Sequence, residues 1–99
     1  MIINHDAVAG TLESGDALVR VAPDEDFEVN VSTSVETQYG DTVRAVIAEV
    51  LERFQVSAGI VTVVDKGALD CILRARVEAA VSRGSDEPPD WSVVIGGAR

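Results

Sequence analysis

The feature that most constrains this chain is an apolar stripe. Val43, Val46, Ile47, Val50, Leu51 and Phe54 recur at the three- and four-residue spacing that lines up one face of an α-helix, and Arg44, Glu49, Glu52 and Arg53 fall on or near the opposite side. A helix with one continuous apolar face must bury it against something. Val35 and Tyr39 extend the stripe backwards, Gly40 interrupts it, and "TSVE" at 33–36 has the form of a capping box with Thr33 as cap and Glu36 reaching back. Asp41 offers an alternative cap for a later start. The helix is expected over about 34–55.

The partner surface is legible as strands. "FEVNVS" at 27–32 alternates, with Phe27, Val29 and Val31 on one face and Glu28, Asn30 and Ser32 on the other, so a half-buried strand is expected. "GIVTVVD" at 59–65 is a β-branched run suited to a central strand. Residues 7–14 and 16–22 read as two strands joined at Ser14-Gly15, where glycine permits the positive φ of a tight hairpin. "APDED" at 22–26 and "DKG" at 65–67 read as turns. "ALDCILRA" places Leu69, Cys71 and Leu73 against Asp70, Ile72 and Arg74, which predicts a further strand holding a buried, inert thiol at Cys71. "RVEAAVSRG" then has Val77, Ala80 and Val81 at helical spacing, with Gly84 as a stop. The order strand, strand, strand, helix, strand, strand, helix predicts an α+β fold. The expected architecture is a small two-layer sandwich, a mainly antiparallel sheet of about five strands with two helices on one face.

With 99 residues the chain is sized for one domain. Residues 1–84 carry the patterned elements. Residues 85–99, "SDEPPDWSVVIGGAR", open on acids and a Pro-Pro pair and read as a tail, with Trp91, Val93 and Ile95 available to dock on the body or on a partner. Aromatic residues make up 4% of the chain, so the core must be built from Val, Ile, Leu and Ala. The net charge of −9 argues against binding a nucleic-acid backbone, which needs a concentrated basic face, and favours basic partner surfaces. The single cysteine allows no internal disulfide, which fits a reducing, cytoplasmic setting. No segment approaches the roughly 18 apolar residues of a membrane span, and "MIINHDAVAG" lacks the pattern of a signal peptide.

Catalytic equipment is sparse. His5 is the one histidine, and nothing in the sequence brings it to a serine and an aspartate; it reads as a solvated bystander. No Cys or His pair has zinc spacing, the acids at 24–26 and 86–87 lack a calcium-loop frame, and no glycine-rich phosphate cradle occurs. A small acidic domain without such machinery suits a carrier, an adaptor or a regulatory piece. A carrier needs one exposed oxygen that a second enzyme can modify, and Ser14 at a hairpin tip beside Gly15 offers it. From the residues alone the turn-residue reading of Ser14 is the stronger of the two. Glu13 and Asp16 either guide a basic enzyme surface or blunt the strand edge. "DKGALD" at 65–70 reads as a tight turn into a strand, with a docking surface as the other reading.

Three separated blocks in order, "AVAGTLESGDALVRVAP" (7–23), "SVETQYGDTVRAVI" (34–47) and "VDKGALDCILRARVEAA" (64–80), resemble the acyl carrier protein of citrate lyase, its gamma chain. The resemblance covers about residues 1–83 and matches least from Ser85 onward. It implies a non-catalytic carrier subunit whose serine in the "LESGD" segment, here Ser14, holds a covalent arm. That arm is the phosphoribosyl dephospho-coenzyme A group, 2'-(5''-phosphoribosyl)-3'-dephospho-CoA, joined through a phosphodiester. The "DSL" attachment motif of the helical fatty-acid carriers is missing, as the resemblance leads one to expect. It further implies alpha and beta chains of citrate lyase as partners, a transferase that installs the arm, and a role in citrate fermentation. Two other readings stand beside it: a carrier for a related acyl-exchange lyase or decarboxylase, and a non-catalytic interaction module.

Overall fold

The computed structural model describes residues 1–34 and 36–86. Its elements are β1 (Ala7–Gly10), β2 (Ala17–Ala22), β3 (Phe27–Thr33), α1 (Glu36–Arg53), β4 (Gly59–Asp65) and α2 (Asp70–Gly84). The strands form one sheet in the order β1-β2-β4-β3. β1 pairs antiparallel with β2, and β2 antiparallel with β4. β3 pairs parallel with β4, so α1 is the crossover that carries the chain back to the starting edge.

Register fixes which side is core. Ala9 lies opposite Val19, Val19 opposite Val63, and Val21 opposite Val61, so these residues share one face, and all are buried. Both helices cover that face: Val43, Val46, Ile47, Val50, Leu51 and Phe54 from α1 and Leu73, Val77, Ala80 and Val81 from α2 complete the core. The α+β class and the two-helices-on-one-face architecture are therefore as the pattern foretold. α1 runs through Gly40 without a break. It ends in a Schellman closure in which the Gln55 N–H donates to the Glu52 carbonyl and the Val56 N–H to the Leu51 carbonyl. Gln55, at φ 55°, holds the left-handed position usually given to glycine.

Three expectations are corrected. First, the sheet has four strands among the described residues, because 70–75 belongs to α2. The alternation of Leu69, Cys71 and Leu73 is coincidental. The spacing that matters is Leu73, Val77, Ala80, Val81 and Gly84, one helical stripe that is buried throughout. Second, Cys71 is exposed rather than buried, as is Leu69, 71% of whose surface is open. Third, β1 and β2 do not meet at a tight Ser14-Gly15 hairpin: the ladder closes at Gly10 opposite Leu18, and residues 11–16 form a longer connection. The turns expected at 22–26 and 65–67 are where the pattern put them.

β3 departs from the half-buried picture. Its register puts Phe27, Val29 and Val31 on the helix side, yet Phe27 is 45% exposed and Val29 37%. β3 is the sheet edge, and α1 leaves a groove there lined by Phe27, Val29, Val31, Ile47, Leu51 and Val56. Trp91, Val93 and Ile95, in the expected tail, lie outside the described residues.

The helical assignment of 70–84 makes a direct prediction. Leu73→Ala should cost about 3 kcal/mol, the usual range for emptying a buried leucine site, whereas Cys71→Ser should stay within about 0.5 kcal/mol, as exposed substitutions do. A strand would have placed both side chains on one face. Urea unfolding of the two variants separates the cases, and Cys71 should react with a thiol reagent in the folded state.

A serine held out on a braced loop

The connection between β1 and β2 is pinned from three sides. At its entry Gly10 has φ 90°, and a Cβ built there would stand 1.8 Å from the Ala17 carbonyl oxygen and 3.1 Å from Cδ of Arg76. Only glycine fits that approach. At its exit the Asp16 N–H donates to the Glu13 carbonyl over 3.1 Å, closing a turn whose central residues are Ser14 and Gly15. Gly15 has φ 85° with open space around it, so its requirement is conformational, not steric. The loop is stitched to the end of β4 by two main-chain bonds: the Gly15 N–H donates to the Lys66 carbonyl over 2.7 Å, and the Lys66 N–H to the Asp16 carbonyl over 2.9 Å.

Asp16 holds the loop together. Its Oδ1 accepts Nε of Arg76 at 2.8 Å and its Oδ2 accepts an Arg76 Nη at 3.0 Å, a fork-on-fork pair that reaches from the loop to α2. The same carboxylate accepts the Ala17 N–H at 2.7 Å and the Thr11 hydroxyl at 2.8 Å. The Arg76 hydrogen bonds, then the Ala17 N–H and the Thr11 hydroxyl, hold the Asp16 carboxyl well below the usual carboxylate range. Arg76 is correspondingly pushed up by Asp16.

This geometry sets a pH response. The folded state lowers the Asp16 pKa beneath its unfolded value near 3.9, so the folded chain binds fewer protons at that group than the unfolded chain does. Its stabilisation is complete above about pH 4 and is withdrawn as pH falls below that value. Glu49 is lowered by Arg74 and Arg53 and acts in the same direction. Asp16→Asn should therefore lower the thermal midpoint at neutral pH and flatten its fall between about pH 4 and pH 2; a fall as steep as the parent's would show that Asp16 contributes no such term.

Ser14, by contrast, is exposed, and its hydroxyl makes no hydrogen bond within the described residues. Thr11, the other hydroxyl of the loop, donates to Asp16 and accepts the Glu13 N–H at 3.2 Å. His5 is not brought to Ser14. It lies at the far end of α2, where its N–H donates to the Gly84 carbonyl over 2.9 Å and its ring pairs with Asp86. No cluster that could hold a metal ion occurs among the described residues. The arrangement presents the Ser14 hydroxyl to solvent, with the His5 ring engaged by Asp86 elsewhere.

The "DKGALD" segment is a structured turn that leads into α2, not into a strand. Asp65 is buried; its Oδ2 accepts the Thr33 hydroxyl at 2.7 Å and its Oδ1 the Ala68 N–H at 3.0 Å. The Ser34 N–H donates to the Asp65 carbonyl over 3.0 Å. Thr33, expected as the cap of the first helix, is the last residue of β3. Asp65 thus ties the end of β3 to the turn that carries Lys66. Sequence reasoning missed Gly10, Thr11, Asp65 and Arg76 as parts of the site. An acid at the end of a largely apolar strand was the one available signal, since such a residue, once buried, needs partners.

Known proteins place this geometry in a family. Residues 4–84 match the family model described as "ACP: Malonate decarboxylase delta subunit (MdcD)". A citrate lyase acyl carrier protein from Edwardsiella ictaluri (strain 93-146) is 54% identical over 89 residues, covering 87% of this chain and 90% of that protein. A chain in the crystal structure of a Pseudomonas malonate decarboxylase hetero-tetramer in complex with malonate has the same fold. Its TM-score is 0.64 at 22% identity, over 86% of this chain and 93% of that one. A family match across both helices and a relative 54% identical over most of the chain agree: the chain belongs to the family of citrate lyase acyl carrier proteins, which shares its family model with the malonate decarboxylase delta subunit.

Proposed function

We propose that Ser14 is the attachment point of a phosphoribosyl dephospho-coenzyme A arm, esterified through a phosphodiester, and that the chain is the non-catalytic carrier subunit of a citrate lyase. The observation that carries the reading is the contrast between the hydroxyls of one loop: Thr11 is bonded to Asp16 and to the Glu13 N–H, while the Ser14 hydroxyl is exposed and makes no hydrogen bond among the described residues. The residues fit such a group. A donor approaching Ser14 meets glycine at position 15, with nothing within 4 Å of where a Cβ would stand.

When bound, the arm supplies a terminal thiol that holds acetyl and citryl groups as thioesters for an alpha chain that exchanges them and a beta chain that cleaves the citryl form. The chain's own residues do something simpler. Gly10, Thr11, Asp16 and Arg76 keep the root of the tether fixed on the sheet, so the flexible part begins beyond Ser14. Tethering holds the intermediate at high effective concentration near both partner sites. Ser14 is modified once by a transferase, which brings its own base, and this is consistent with His5 lying elsewhere. Residues 1–84 are the carrier unit in this reading, 85–99 a tail, and the compartment the cytoplasm; no helix among the described residues is long and apolar enough to cross a membrane.

A carrier for a related decarboxylase is the second reading, favoured by the family description and by the fold of the Pseudomonas chain. The identity of 54% to a citrate lyase carrier favours the first. Intact-mass measurement of the chain purified from its own organism tests the proposal. We expect a mass above that of the sequence together with nucleotide absorbance; a bare chain within an active complex contradicts it.

A further inference from the structure

We propose that Lys66 is the cation that positions the phosphate of the Ser14 linkage. The inference rests on the reading of Ser14 as the attachment point and adds a residue to it. Lys66 is the only lysine in the chain. Its main chain is bonded on both sides to the residues that follow Ser14, through the Gly15 N–H at 2.7 Å and the Asp16 carbonyl at 2.9 Å, so its backbone cannot drift from the loop. The buried Asp65, held by Thr33 and Ala68, fixes the residue before it, and Gly67 at φ 85° turns the chain directly after it.

The charge pattern assigns the role. Around Ser14 stand Glu13 and Asp16, and both carboxylate oxygens of Asp16 are taken by Arg76. Arg53 and Arg74 are paired with Glu49, and Arg83 donates to the Val8 carbonyl. The Lys66 ammonium has no partner among the described residues. A chain of net charge −9 that must accept a phosphodiester beside Glu13 is served by an uncommitted cation, and the turn after β4 carries one, Lys66, on backbone bonded to Gly15 and Asp16. Lysine suits the task better than arginine's fixed fork would: a compact charge on a flexible four-carbon stem can follow a phosphate that sits one bond beyond an exposed serine. Arg76 cannot share the work without giving up the Asp16 pair that shapes the loop.

The test uses two amines in one chain. The arm-bearing protein from its own organism and the bare chain from a host lacking the transferase are treated with an amine-acylating reagent, and Lys66 is compared with the Met1 amine. Met1 is an internal control, because its amine donates to the Gln55 carbonyl at 2.7 Å, beyond the end of α1 and away from the loop. We expect Lys66 to react about tenfold more slowly when the arm is present, the effect of one charge-assisted contact, with Met1 unchanged. Lys66→Gln should slow arm attachment by about tenfold and Lys66→Arg should restore most of it, with unfolding midpoints equal to the parent's. Equal Lys66 reactivity in the two forms, or parental loading of Lys66→Gln, overturns the proposal while Ser14 stands. Absence of any adduct in the native chain removes the Ser14 reading, and the role of Lys66 with it, so the two failures are distinct.

Discussion

Gly10→Ala lowers the stability of the folded chain by about 3 kcal/mol, the sum expected of a strained positive φ and an overpacked contact, and lowers the thermal midpoint by roughly 15 °C for a domain of this size. The physical reason is confined to one atom. A methyl carbon at position 10 would lie 1.8 Å from the Ala17 carbonyl oxygen, and that oxygen belongs to main chain, which cannot rotate aside. Relief requires β1 to separate from β2 where Gly10 faces Leu18, the last rung before the Ser14 loop. Cδ of Arg76 also lies close, at 3.1 Å, so the same shift disturbs the clamp on Asp16. Gly15→Ala is the informative control. Its φ of 85° is as unfavourable for alanine, but no atom lies within 4 Å, so its cost should be only about 1 kcal/mol. Equal midpoints for the two variants would show that the close approach at Gly10 is not what closes the loop.

Ser14→Ala should leave the fold untouched and abolish the function. The side chain is exposed and makes no hydrogen bond within the described residues, so unfolding should stay within about 0.5 kcal/mol of the parent. Expressed in its own organism, the variant should carry no adduct, and the complex that contains it should have no acyl-exchange activity. Thr11→Ala should behave in the opposite way. It removes a hydroxyl that donates to Asp16 and accepts the Glu13 N–H, so it loosens the loop and lowers stability by about 1 kcal/mol while the adduct remains. An adduct retained in Ser14→Ala contradicts the assignment.

Much of the scaffold was legible because its signals are local. The stripe from Val43 to Phe54 names a helix at any reading distance, and the β-branched run at 59–65 names a strand. α2 was half hidden: Leu69, Cys71 and Leu73 imitate a strand over a short window, and only the continuation to Val77 and Val81 shows the helical period. Phe27 and Val29 alternate as a half-buried strand should, yet they lie open because β3 is an edge, and edge or centre is decided by which strand pairs with which. The parallel pairing of β3 with β4 depends on how α1 returns the chain, which no local pattern records. The site was legible only in part for the same reason. Ser14 stood out as a small hydroxyl beside a glycine. Its supports did not, since Asp16 and Arg76 are 60 residues apart and meet only when α2 lies against the sheet.

The most direct test of the account is the location of the modification. Trypsin should release residues 1–20 of the native chain as one peptide, and Thr11 and Ser14 are its only hydroxyl residues. Fragmentation of that peptide should place the whole added mass on Ser14, with Thr11 bare; the mass on Thr11, on a peptide outside 1–20, or on no peptide at all would contradict it.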